Sequence, residues 1–200
     1  MTEAARTSTR DIARAAVRVE LAQVAFDLFR REGFDQVTVT DLAAAAGVSR
    51  STFLRYFGSK EEAVLGAFDA QAAQVADALR ARPADEDDWT ALRRALDTVI
   101  EHYHQDRGGA LALTHLVRGT PALCSRQLEK QHGWCPTLAQ ALAERGGSSR
   151  PVTLAQSVRA AAALDCLNVA LDHWTASEGE LDLVDLLDEA FAALSANGPG

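Results

Sequence analysis

Apolar positions recur along this chain at three- and four-residue intervals, and strand-like alternation is absent. That periodicity predicts an all-α fold. The first clear helix spans about residues 14–32, with Leu21, Val24, Ala25, Leu28 and Phe29 on one face and Gly33 as its stop. Phe34 and Val37 then pack back. Thr38 or Thr40 is placed to cap a short helix over 40–46 that Gly47 ends, and Ser49 caps a third helix reaching about residue 56. After Gly58, the run Ser59, Lys60, Glu61, Glu62 opens a long fourth helix to about residue 82, its acidic pair favoured by the helix dipole. An acidic linker over 83–88 leads to helices at about 89–105, 108–118, 121–145, 152–177 and 181–195. The implied architecture is an N-terminal three-helix domain, 1–60, joined by a long helix to a C-terminal helical body, 61–200.

The segment 39–57 has the chemistry of a helix-turn-helix. Two short helices that cross steeply need a small residue at the crossing, here Ala43. Gly47 supplies the turn, Val48 plugs the corner and Ser49 caps the second helix. Leu42, Ala46, Val48, Phe53 and Phe57 face the small core, leaving Arg50, Ser51, Thr52, Arg55 and Tyr56 on the outer side or its margins. Arginine can take guanine O6 and N7 in a fork, and hydroxyls reach bases or phosphates. Thr40 and Lys60 are placed for phosphate contacts. The candidate DNA-contacting set is Thr38, Thr40, Ser49, Arg50, Ser51, Thr52, Arg55, Tyr56 and Lys60.

The formal net charge of −8 argues at first against a polyanionic partner. Divided, the chain reads differently. Residues 1–60 hold nine basic and seven acidic side chains, a balance of +2, so the remainder carries −10. A basic head on an acidic body is expected when one end alone meets phosphate. Arg6, Arg10, Arg14 and Arg18 recur every four residues on one helical face, an arm suited to phosphates or a minor groove. The N-terminus has no apolar signal core, and no apolar run approaches the roughly 20 residues of a membrane span. Three cysteines without framework spacing fit reduced thiols in a cytoplasm.

Ala25 to Phe29, Gly33-Phe34, Thr38 to Ala43, Ala46 to Ser49, Thr52-Phe53, Tyr56-Phe57 and Ser59 to Glu62 together resemble the TetR family of bacterial regulators, over about residues 14–68. The resemblance implies a repressor that binds a palindromic double-stranded operator as a homodimer and is released by a small-molecule effector, without catalysis or cofactor. One position departs from it. Many similar chains have a tyrosine where Leu54 stands and use its hydroxyl on the DNA backbone, a load that falls here on Arg55 or Tyr56. The C-terminal pattern, Asp172-His173-Trp174 followed by a short acidic helix, resembles the mycofactocin-locus group of regulators, which implies acyl-chain or acyl-coenzyme ligands.

The apolar band of the penultimate helix is too wide for one contact face, which predicts a two-fold four-helix bundle. Its expected contacts are Leu154, Val158, Ala161, Ala162, Val169 and Trp174, with Leu183, Leu187 and Phe191 from the last helix. A pocket is expected among Leu96, Val99, Ile100, Tyr103, Leu113, Leu116, Leu128, Trp134 and Leu138, with Asp165 and Asn168 orienting the ligand. Two rival chemistries have some support in the sequence. The Glu-x-x-His units Glu101/His104 and Glu129/His132 have the spacing of helical-bundle metal enzymes, yet flanks that look solvent-facing. A redox- or metal-sensing regulator would use His132 with Cys135, although Gly133 and Pro136 weaken helicity there.

Overall fold

The computed structural model describes residues 9–66, 68–145 and 151–195, and Arg6 of the arginine series lies outside them. The described residues are helical with no strand, and the chain divides into two compact units at Gly66.

The first unit holds α1 (Thr9–Glu32), α2 (Val39–Ala45), α3 (Arg50–Phe57) and α4 (Lys60–Leu65). Leu21, Ala25, Leu28 and Phe29 of α1 are buried, as their spacing predicts. Gly33, at φ 85°, stops the helix in a backbone region that suits glycine. Phe34 then folds back onto Phe29, ring centroids 4.8 Å apart. The cap of α2 falls at Thr38, which shares a reciprocal capping box with Asp41.

The expected long fourth helix is instead two helices, α4 and then α5 (Phe68–Arg80). Gly66 explains where the first one ends. It is a poor helix former, and a Cβ there would lie 2.4 Å from the Arg18 guanidinium and 2.7 Å from the Glu62 carbonyl oxygen.

The second unit continues with α6 (Asp88–Ala95), α7 (Asp97–Gln105), α8 (Arg107–Gly119), α9 (Pro121–Arg145), α10 (Leu154–Ala176) and α11 (Leu183–Ser195). α9 is its central column, packed on α5, α8 and α10, and α10 packs in turn on α11. The single helix expected over 89–105 is broken at Leu96, which ends α6 and begins α7. α9 runs unbroken through Gly133 and Pro136, against the expectation of poor helicity there.

The 83–88 segment is no free acidic linker. Arg145, with a side chain only 3% exposed, donates to the Pro83 and Glu86 carbonyl oxygens and to the Asp88 carboxylate at 2.6, 2.7 and 3.1 Å. Glu86 is gripped by Arg82 and Arg94, at 2.7 and 2.9 Å, and Asp87 caps α6. Arginines thus fold the acidic run against the bundle.

Burial also corrects the expected dimer contacts. Trp174, Leu183, Leu187 and Phe191 lie inside the subunit, where Trp174 meets Tyr103 edge-on and Phe191 stacks on Trp89 at 4.3 Å. Leu154, Val158 and Val169 of α10 are exposed, with Ala161 and Ala162 half-buried beside them. The wide apolar band therefore serves two surfaces, an inner one against α9 and α11 and an outer one left open.

Removing the buried guanidinium leaves the 83–88 carbonyls and Asp88 unmatched. Arg145→Met is expected to lower unfolding stability by about 3 kcal/mol, the cost of breaking a buried charged network. Arg94→Met, at a half-exposed side chain, changes it by less than about 1 kcal/mol. Urea denaturation of the two variants checks the contrast.

Candidate nucleic-acid interface

The α2–turn–α3 unit is built as its sequence requires. Leu42 and Ala43 of α2 and Phe53 and Phe57 of α3 are buried, the two rings tilted with centroids 5.0 Å apart. Ala46 and Val48 sit at the rim, half-buried. The turn passes through Gly47 at φ 66°, with the Val48 amide donating to the Ala43 carbonyl oxygen at 2.9 Å. Ser49 caps α3 by accepting from the Thr52 amide at 3.1 Å, and its hydroxyl lies 2.9 Å from that of Thr52 and 3.0 Å from that of Ser51. Three hydroxyls therefore gather at the end of α3 where the helix dipole is positive.

Outward from this core stand Arg50, Ser51 and Arg55, all exposed, with Thr52, Leu54 and Tyr56 half-buried at the margins. Thr38 and Thr40 are exposed at the start of α2. Thr38 is engaged with Asp41: its amide and hydroxyl donate to the carboxylate at 2.9 and 2.6 Å, and the Asp41 amide donates back at 3.3 Å. Those two bonds, the hydroxyl's first, hold the Asp41 carboxyl below its usual 3.8.

Lys60 is placed otherwise than its sequence position suggests. Its ammonium donates to the Phe34 and Val37 carbonyl oxygens, at 2.9 and 3.2 Å, and lies 4.2 Å from the Phe34 ring centre. It clamps the α1–α2 turn and so belongs with the scaffold. The arginine series divides too. Arg14 lies over Tyr56 at 5.8 Å and Arg18 over Phe57 at 5.5 Å, joining α1 to the end of α3, while Arg10 is exposed further out. Sequence spacing showed that these cations share a face but could not show that aromatic rings face them.

In the second unit, a groove of about 480 Å³ between α9 and α10 gathers three of the expected pocket residues, Leu128, Asp165 and Asn168, with Gln131, His132, Cys135 and Leu164. Gln131 was not anticipated, because a glutamine on a mixed helix gives no sign of burial. The other pocket candidates are elsewhere. Leu96, Val99, Ile100, Tyr103, Trp134 and Leu138 fill the packed core, and Leu113 and Leu116 are half-buried on α8. Tyr103 is hydrogen-bonded with Thr114, and burial pushes its phenol above the usual range.

For the rival chemistries, Glu101, His104, Glu129 and His132 are all exposed, and no metal-competent group of three or more His, Cys, Asp or Glu forms among the described residues. Burial first, and the Asp165 carboxylate second, push the Cys135 thiol up, away from the reactive thiolate.

Known proteins match at both ends of the chain. Residues 21–65 match the family "Bacterial regulatory proteins, tetR family" and residues 86–199 the MftR C-terminal domain. The chain is 30% identical over 185 residues to a Mycobacterium tuberculosis protein named for MftR, a mycofactocin biosynthesis transcriptional regulator, 88% of each chain being covered. It is 33% identical over 136 residues to the HTH-type transcriptional regulator TcmR of Streptomyces glaucescens, 65% of this chain and 60% of that one. Among solved structures it resembles Thermus thermophilus FadR, a TetR-family repressor in complex with lauroyl-CoA, at a TM-score of 0.58 and 23% identity, covering 92% of this chain and 99% of that one.

Two outcomes test this reading of the first unit. Lys60→Met is expected to lower stability by about 1–3 kcal/mol through two orphaned carbonyls and to leave the salt dependence of DNA binding unchanged. Arg55→Ala should instead reduce that dependence by about one ion. Melting curves and anisotropy titrations at several salt concentrations separate the two. The Asp41 carboxyl is depressed in the folded state, so its contribution exists above the unfolded value of 3.8 and is lost as pH falls through the folded one. Asp41→Ala should accordingly melt earlier than the parent at pH 6, with the gap closing at pH values below 3.8.

Proposed function

The chain belongs to the TetR family of bacterial transcriptional regulators, with a C-terminal domain of the MftR type, and from that premise we propose that it is a repressor released from a palindromic operator by a small apolar or amphipathic ligand. The observation that carries the reading is the outward face of α3. Arg50, Ser51 and Arg55 are exposed at a capped helix whose other face is fixed by buried Phe53 and Phe57. Such a helix suits the major groove, with Arg50 and Arg55 near base edges and phosphates and the hydroxyls of Ser49, Ser51 and Thr52 on the backbone. Thr38 and Thr40 offer phosphate contacts at the start of α2, and Tyr56, with Arg14 stacked on it, stands in for the hydroxyl that Leu54 lacks.

Two such heads reading a symmetric site call for a homodimer. The exposed stripe of Leu154, Val158 and Val169, with Ala161 and Ala162 allowing close approach, supports pairing through α10. The groove between α9 and α10 is the candidate effector site. The FadR relative in complex with lauroyl-CoA supports a ligand in this fold class, and the place of action is the cytoplasm, where the operator is.

Fluorescence anisotropy with DNA from upstream of the gene tests the proposal. Binding should follow two subunits per inverted repeat. Arg50→Ala should lose about tenfold or more in affinity, the loss of a bidentate base contact. A Val158→Asp, Val169→Asp double variant should sediment as a monomer and bind far more weakly. Retention of full affinity by Arg50→Ala and Arg55→Ala together would overturn the assignment of α3.

A further inference from the structure

The α9–α10 groove contains an unmet chemical requirement. Gln131 is 3% exposed, and its Oε1 is buried without a hydrogen-bond donor. A buried amide oxygen left in this way costs about 1–3 kcal/mol, which an occupant carrying a donor would recover. The polar lining around it is the Asp165 carboxylate, the Asn168 amide, the His132 ring, the Cys135 thiol and the Glu129 carboxylate, the last already paired with Arg126 at 2.9 Å, and it includes neither lysine nor arginine. Leu128 and Leu164 supply the apolar wall. The orphaned Gln131 oxygen and Asp165, which forms no ion pair among the described residues, are therefore the two unmet acceptors of a half-apolar groove.

We propose that this groove binds a small amphipathic amine, its ammonium donating to Gln131 Oε1 and Asp165 and its hydrocarbon part lying along Leu128 and Leu164. A primary ammonium brings three donors, enough for the buried oxygen and a carboxylate oxygen together. A carboxylate or phosphate head would bring acceptors to acceptors and place like charges beside Asp165. An alcohol would satisfy Gln131 while leaving Asp165 uncompensated. This ligand class rests on the effector reading given above and refines it.

Isothermal titration of the full chain at pH 7.5 with n-octylammonium, 1-octanol and octanoate tests it. The ammonium is expected to bind at least tenfold more tightly than octanoate and more tightly than octanol. Asp165→Asn and Gln131→Leu should each weaken octylammonium at least fivefold, and Asp165→Asn should leave octanol within twofold. Unchanged operator affinity without ligand would show that both variants are folded. Octanoate binding as well as octylammonium, or Asp165→Asn without effect, would overturn the amine. An Asp165→Arg variant that sediments as a monomer would assign the groove to a second copy of the chain and overturn it equally. Operator release by octanol and not by octylammonium would leave the repressor standing and remove the amine. A chain that bound no operator would remove the effector role, and the titrations would still decide the ligand class.

Discussion

An eight-residue helix has too few internal hydrogen bonds to persist alone in water. α3 therefore holds its shape through what it buries. Phe53 and Phe57, one turn apart, are sealed against the first unit's core, and their burial fixes the rotation of the helix. Ser51 and Arg55 then point the other way, and Arg50 projects from the capped end. The caps, the Gly47 turn, the Lys60 clamp and the arginines stacked on Tyr56 and Phe57 all serve that one orientation. Any nucleic-acid contact made by α3 inherits its geometry from two buried rings.

The head was legible in the sequence because its constraints are local. A positive-φ turn needs a glycine, a helix start needs a hydroxyl, and a close crossing needs an alanine, so Gly47, Ser49 and Ala43 announce themselves. The body was less legible because its constraints are distant. An apolar helix face reads alike whether its partner is the same chain or another, so Trp174, Leu187 and Phe191 looked like interface and proved to be core. Lys60 misled for a similar reason, and Arg145 gave no sign of its role. Cations are expected in water, and nothing nearby in sequence shows that backbone carbonyls more than 20 residues away will receive them. The fourth helix, expected to run to about residue 82, ends instead at Gly66, against which Arg18 lies from far off in sequence.

The distribution of charge gains meaning from the ion pairs. In the second unit Arg82, Arg93, Arg118 and Arg145 are each matched to a carboxylate of the same unit. In the first unit, Arg50 and Arg55 form no ion pair among the described residues. The acidic excess of the body thus coexists with unpaired cations on α3.

Pro136 sits in the middle of α9, between turns that are otherwise regular. A proline has no amide hydrogen, so the His132 carbonyl one turn earlier lacks its helical donor, and the ring crowds it. Bending stiffness in a helix comes largely from that ladder of bonds, so α9 is softest along this turn. The same turn supplies His132 and Cys135 to the wall of the α9–α10 groove. The turn that lacks a backbone bond thus lies between two neighbours, with Trp134 held in the core on one side and His132 and Cys135 facing the groove on the other.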